Sequence, residues 1–438
     1  MGVGQCVITP PIGTDLFGYA PDVHSTSVHD DLNITAVYLE ESGKRAMLLS
    51  VEVCLIQNEL CEQMREIVVK ETGIPGDQII ISATHTHSGP TTVQMDGWGD
   101  LNWEYCNSIL LPQTAEVAKR AIADPQPVEM GIGTAQSLVG CNRREMREDG
   151  SVHLGQRPWG PFDPTMTVLH FRNPKTKKSV LSLIHYCCHG TAAGKNHEIT
   201  RDWSYAMLDA TEQATGATAV FFNGAVGDVG PRLSNGKTVG DITYVEELGA
   251  VAKRDCEAAF AAITDYTTDL ELGLGIGTIT LPLADQPSKA ETEEKLRAFL
   301  KENPDPESLN NIQYGIYHHL SQLAAYFESG KEVPTERVFR QTLISLGGKV
   351  VFVPFPFEVF VEITLNIRKF SPYPFTLCLS NTNGANSYLP TQDQLIRGGY
   401  EVKSFYNENL FPFRDDTDDT IMKANVRLLK ELKANEPR

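Results

Sequence analysis

The sequence predicts an α/β fold. It has a mainly parallel or mixed central sheet, helices on both faces and a functional site at the carboxyl ends of the strands. Three observations point there. Residues 45–53 read as a strand, 58–71 as a helix and 78–82 as a second strand, a βαβ unit that implies a parallel pair. Strand-like and helix-like segments keep alternating through most of the chain. Five strand-like runs also hand over to polar turns marked by Gly, Pro or Asn, where open α/β sheets collect ligands and catalytic groups.

The elements follow in order. The helix over 58–71 has helical periodicity and stops at Thr72-Gly73-Ile74-Pro75, Gly then Pro. The strand at 78–82 is short, apolar and β-branched. A second helix, 103–122, is closed by Asp124-Pro125-Gln126-Pro127. Residues 128–138 read as a strand that delivers Gly140-Cys141-Asn142-Arg143-Arg144, and 165–171 and 180–186 as paired strands around the turn Asn173-Pro174-Lys175-Thr176. A buried strand, 218–222, runs into a glycine-rich loop, 223–231, and 244–262 is an amphipathic helix. The charged stretch 288–330 reads as an inserted helical hairpin. Residues 337–346 and 350–354 flank Gly347-Gly348, a β-hairpin signal. A helix at 357–369, a strand at 375–380 and a helix at 420–434 complete the chain. No internal repeat and no low-complexity segment is visible, and the whole of 1–438 reads as one domain.

Composition narrows the function classes. Of 438 residues, 41% are hydrophobic and 21% charged, enough for a large packed core. A net charge of -18 argues against nucleic acid and anionic membrane surfaces as partners. No apolar run is long enough to span a membrane, and no signal-peptide pattern is seen, so a cytoplasmic location is expected. Nine scattered cysteines without a C-x-x-C motif suit reduced, buried thiols.

The most informative block is Ser82-Ala83-Thr84-His85-Thr86-His87-Ser88-Gly89-Pro90, two imidazoles just past a strand. In extended chain, residues i and i+2 project the same way, and neutral imidazole is the commonest protein metal ligand. His189 follows the strand at 180–186, Asp228 the one at 218–222, Glu358 the one at 350–354 and Tyr388 the one at 375–380. Imidazoles, a carboxylate and a phenol gathered on one edge are a donor set for zinc, with a position left for water.

These residues resemble the neutral/alkaline ceramidase family of zinc-dependent amidases. The likeness rests on Ala83-Thr84-His85-Thr86-His87-Ser88-Gly89-Pro90 and on the start of the chain, Val3 to Gly13. It recurs at Cys141-Asn142-Arg143, His189-Gly190-Thr191, Gly227 to Pro231, Val353 to Glu358, Tyr388-Leu389-Pro390-Thr391 and Gly399-Tyr400-Glu401. The resemblance implies zinc ligands at His85, His189, Glu358 and Tyr388. It implies contacts to the reacting group from His87, Arg143 and Tyr400. No organic cofactor is implied. Two features depart from the family: Gly230 stands where it carries a loop serine, and its C-terminal immunoglobulin-like domain has no counterpart in this sequence.

The resulting expectation is a zinc-dependent hydrolase of a linear amide, less readily an ester, acting on a small-molecule or lipid-like substrate other than ceramide. Metal-activated water takes the serine's place unless Ser234 does. The alternative is a non-catalytic binding protein that retains the pocket. Each residue also has a plainer reading. Glu358 suits the N-terminus of a helix, Tyr388 a hydrogen-bonded buried phenol, Arg143 an ordinary ion pair and Asp228 a turn. His185, His197 and Asp202 are candidates to support the His189 loop, and His24, His29 and His153 read as solvent-facing.

Overall fold

Three four-stranded sheets frame the protein, and each is built the same way. The computed structural model describes residues 1–19, 22–95, 98–407 and 410–436. The first unit contains β1 (Gly2–Val7), β2 (Asn33–Glu41), β3 (Lys44–Val51), α1 (Asn58–Thr72), β4 (Ile79–Ala83) and α2 (Leu111–Ala123). The second contains β5 (Glu129–Gln136), β6 (Gly140–Met146), β7 (Val152–Arg157), β8 (Thr165–Arg172), β9 (Ser179–Tyr186), α3 (Tyr205–Thr215), β10 (Thr218–Asn223), β11 (Val229–Pro231) and α4 (Ile242–Ala261). The third contains β12 (Leu272–Pro282), α5 (Lys289–Glu302), α6 (Asn311–Glu328), β13 (Glu336–Leu346), β14 (Val350–Pro354), β15 (Glu358–Val359), α7 (Val361–Phe370), β16 (Phe375–Leu379), β17 (Tyr388–Leu389), α8 (Tyr400–Asn407) and α9 (Thr417–Ala434).

The sheet orders are β1-β2-β3-β4, β5-β8-β9-β10 and β12-β13-β14-β16. In each, the first two pairings are antiparallel and the last is parallel. In each, one helix (α1, α3 or α7) makes the crossover into the parallel strand. The architecture therefore repeats three times although no repeat is legible in the residues.

The α/β class stands, with two corrections to its details. The sheets are mixed with one parallel pair apiece, not mainly parallel, because only the last connection of each unit is a helical crossover between parallel neighbours; the others return antiparallel, as hairpins or longer excursions, the one between β12 and β13 through α5 and α6. Helices cover one face of each sheet, not both. The opposite faces pack on one another: Val37, Leu48, Phe171, Leu183, Phe222, Ile344 and Phe352, drawn from all three sheets, share one buried cluster. Alternate residues face the helices instead, as Ala36 and Tyr38 do beside α1 and α2. Both faces are thus buried, which is why these strands read as continuous apolar runs.

Several local readings shift. The segment carrying Arg143 is itself strand β6, paired with β7 and β11. Glu358 lies in β15 rather than in the helix expected over 357–369, and α7 starts only at Val361. The helix over 103–122 is present but passes through a π-turn at Cys106–Leu110. The expected hairpin turn is formed by Gly347 and Gly348, both at positive φ (56° and 60°), where a β-carbon is disfavoured. Between β12 and β13 lie α5 and α6, each opened by a reciprocal capping box, Ser288 with Glu291 and Asn310 with Gln313.

The same repetition positions the site. The carboxyl ends of β4, β10 and β16 meet: Asn223 Nδ2 donates to Thr84 O at 2.8 Å, Ser380 N to Asn223 O at 3.3 Å and Asn383 N to Ile81 O at 2.7 Å. The loops that the sequence assigned to one sheet edge come from three sheets whose ends converge.

Candidate metal centre and its surroundings

His85 is the second residue past β4. Its backbone sits at φ 70°, a region rarely occupied by residues with a β-carbon but enriched in Asn, Asp and His. Hydrogen bonds from Thr84 N to Val51 O (3.0 Å) and His85 N to Val53 O (2.9 Å) hold that turn. His189 follows β9, and its loop is pinned by the buried Asp202 carboxylate, which accepts from Ala192 N (3.1 Å) and Ala193 N (2.8 Å). Trp203 Nε1 adds a bond to His189 O at 2.9 Å. Glu358 follows β14 and is paired in parallel register opposite Tyr388. All four of the residues expected to hold zinc are buried.

Three of these residues aim lone pairs at one point. His85 Nε2 and His189 Nε2 lie 2.8 Å apart, and Glu358 Oε2 lies 3.4 Å and 3.2 Å from them. The outer ring nitrogens face carbonyls, His85 Nδ1 to Cys54 O at 2.9 Å and His189 Nδ1 to Val226 O at 2.7 Å. A carbonyl only accepts, so Nδ1 carries a proton in both rings, which leaves each Nε2 able to bind a metal. Glu358 Oε2 is buried and makes no hydrogen bond of its own. Two imidazole nitrogens and an orphaned carboxylate oxygen fit a zinc-like cation.

Electrostatics agree with a cation requirement. Burial would raise the Glu358 carboxyl, but His85 and His189 hold it well below the usual range, so it is ionised. Burial, then Arg143 and His85, lowers His189 to about 3. Burial also works against charge on His85, yet Cys54 and Glu358 outweigh it and hold that ring well above its ordinary value. Without a metal, a proton on His85 balances Glu358.

Tyr388 is brought to the centre, and its hydroxyl accepts from Arg143 Nη2 at 3.1 Å. Burial and Glu358 push its phenol well up, so it is neutral. His87 Nε2 lies 3.4 Å from His85 Nε2, and its Nδ1 faces Gly18 O at 3.2 Å. Burial and the two other imidazoles keep His87 uncharged. Arg143 Nη1 lies 3.0 Å from His189 Nε2, while its Nε donates to Glu401 Oε1 at 2.9 Å. Tyr400 packs its ring against Tyr388, centroids 5.7 Å apart. All seven residues singled out from the sequence thus gather in one place.

Asp228 is more than a turn residue. Its carboxylate caps α7 at Val361 N (2.8 Å) and accepts from Asn142 Nδ2 (3.1 Å), tying the Glu358 segment to the Arg143 strand. His185 donates to or accepts from no other candidate; it faces Cys378 O at 2.9 Å. His197 contacts His24 O on the surface, and His29 pairs with Asp30 and Glu246 rather than standing free in solvent. Sequence reading missed Cys54, Tyr19, Arg144 and Asn381 as members of these surroundings. Tyr19, whose ring lies 5.5 Å from that of His87, carries no local pattern that would have marked it.

Ser234 is exposed, and its hydroxyl donates to Glu247 at 2.8 Å, away from the centre. Gly230 lies in β11 against Cys141. A β-carbon there would sit 2.9 Å from Thr238 Cβ and 3.3 Å from Arg143 Cβ. Gly230→Ser is therefore expected to lose about 1–3 kcal/mol through overpacking and to gain no activity. Thermal unfolding beside product assays checks this; a stable variant with a burst of product would contradict it.

No family model matches the sequence, and no curated protein does. Solved structures match the whole fold, two ceramidase structures among them. One is a neutral ceramidase from Pseudomonas aeruginosa, with a TM-score of 0.73 and 16% identity over 100% of this chain and 75% of that one. The other is a ceramidase complexed with C2, with a TM-score of 0.69 and 17% identity over the same shares. The chain therefore has a neutral ceramidase-like α/β fold, carrying at its convergent strand ends a candidate metal centre.

Proposed function

We propose that the chain is a zinc-dependent hydrolase of a linear amide other than ceramide, with water as the nucleophile. The observation that carries this reading is the convergence of His85 Nε2, His189 Nε2 and the orphaned Glu358 Oε2. Zinc held there supplies a Lewis acid that polarises a carbonyl and activates water. The chain's own groups do the rest. His87 is uncharged and offers Nε2 toward the centre, so it takes and returns a proton. Arg143 carries a buried positive charge aimed by Glu401 and Tyr388, and with Tyr400 it steadies negative charge on the substrate oxygen. Ser234 is spent on Glu247, and Gly230 offers no hydroxyl, which favours water over a serine.

A small-molecule or lipid-like substrate suits this buried centre better than a polymer. Nine cysteines, all unpaired and buried, favour a reducing compartment such as the cytoplasm. Among the described residues, no helix is long and apolar enough to cross a membrane.

The test is zinc content of the purified protein together with a panel of amides and esters. About one equivalent of zinc with amide turnover is expected, without a burst of product. Zinc without turnover on any substrate would favour a binding protein that keeps the pocket. His87→Ala is expected to keep its zinc and lose about 10²–10⁴-fold in turnover. Loss of zinc in that variant would make His87 a ligand instead.

A further inference from the structure

We infer that Asn381 is a positioning residue for the metal centre: its side-chain carbonyl fixes His85 so that Nε2 faces the ion. The inference rests on the zinc reading above and adds a residue to it.

Asn381 occupies in the third unit the place that His85 occupies in the first. Each is the second residue past the parallel edge strand, and both sit at positive φ, 50° and 70°. The two loops are joined by their backbones. Ala83 N donates to Asn381 O at 3.0 Å, and Asn381 N donates to Phe357 O, beside Glu358, at 3.1 Å. Ser82 and Thr382 add a hydroxyl bond at 2.8 Å. One residue therefore spans the loops of two candidate ligands that are far apart in sequence.

The side chain completes the case. The Asn381 amide lies 3.0 Å from His85 Nδ1, with its nitrogen turned toward the ring and its oxygen buried without a partner. His85 Nδ1 already faces Cys54 O at 2.9 Å, so Nδ1 must carry the proton. An N–H facing an N–H is unfavourable, and the two ends of an amide are assigned from the hydrogen-bond network rather than seen. Turning the amide places its oxygen at Nδ1, where it accepts together with Cys54 O. The proton is then held on Nδ1 by two acceptors, and the Nε2 lone pair is left for the metal. Partners of this kind govern metal affinity by about 10–100-fold.

Two variants separate this role from simple support of the turn. Glycine tolerates the positive φ and removes the amide; aspartate is also tolerated there and keeps only acceptors. Zinc affinity would be measured by competition with a chromophoric chelator, and cobalt spectra would report ligand geometry. Asn381→Gly is expected to weaken zinc binding about 10–100-fold while its thermal unfolding shows a folded protein. Asn381→Asp is expected to bind zinc at least as tightly as the wild type. Equal affinity in wild type and Asn381→Gly, or an Asn381→Asp variant as weak as Asn381→Gly, would overturn the assignment while leaving the zinc centre intact. A wild type that binds no zinc would overturn the metal reading, and this inference with it.

Discussion

His85→Ala and His189→Ala are each expected to strip the metal and abolish activity together. Each removes one of two imidazole nitrogens that face the same carboxylate oxygen across 3.2–3.4 Å. Neither Nε2 has a replacement among the groups in contact. The Tyr388 hydroxyl accepts from Arg143, and His87, whose Nε2 lies 3.4 Å from that of His85, has the role of proton carrier. A metal's electrostatic share of catalysis is several kcal/mol, so its loss corresponds to about 10³-fold or more in rate. Elemental analysis beside turnover checks the coupling. A His189→Ala protein that loses its activity but keeps a full equivalent of zinc would show that the metal is held elsewhere. Added zinc is not expected to rescue either variant, since affinity falls with the ligand count.

Glu401→Ala carries the largest expected cost in stability. Glu401 is buried and serves two buried guanidiniums, Arg143 Nε at 2.9 Å and Arg144 Nη1 at 2.6 Å. Arg144 is tied further to Gln394 Oε1 (3.1 Å) and Gly398 O (2.6 Å), so it cannot swing out to water without breaking those bonds. Removing one partner of a buried ion pair leaves charge unbalanced in a poorly solvated site, at a cost of about 3–5 kcal/mol. Denaturant unfolding measures this. Glu401→Ala combined with Arg144→Met is expected to be more stable than Glu401→Ala alone, because it removes one of the two stranded charges. A single-variant cost under about 1 kcal/mol would mean that water reaches the pair. Activity is expected to fall as well, since Glu401 aims Arg143 and stands next to Tyr400.

The residues that make the centre were legible before the fold was, and for a physical reason. His85 and His87 follow a short apolar strand, and His189, Glu358 and Tyr388 each lie shortly after another. Strand ends in α/β proteins concentrate polar function, so local pattern reaches this far. The local pattern also fixed the βαβ crossover from β3 to β4, the Gly347-Gly348 hairpin and most helices, where periodicity and stop signals agree.

Sequence by itself thus determined the class of fold, nine of the twelve strands in the three sheets and most of the side chains that face the centre. Tertiary structure decided the rest. Buried runs with no alternation cannot tell a face covered by helices from one covered by another sheet, so three sheets read as one. By local pattern Glu358 falls in the first turn of a helix over 357–369, because the pairing of β15 with β17 depends on Tyr388, outside any local window. The partners of Arg143 and the place of Asn381 were equally hidden: Glu401 lies 258 residues from Arg143, and Asn381 lies 296 residues from His85. Contacts at such separations are set by the meeting of the three sheet ends, a property of the packed core rather than of any segment within it.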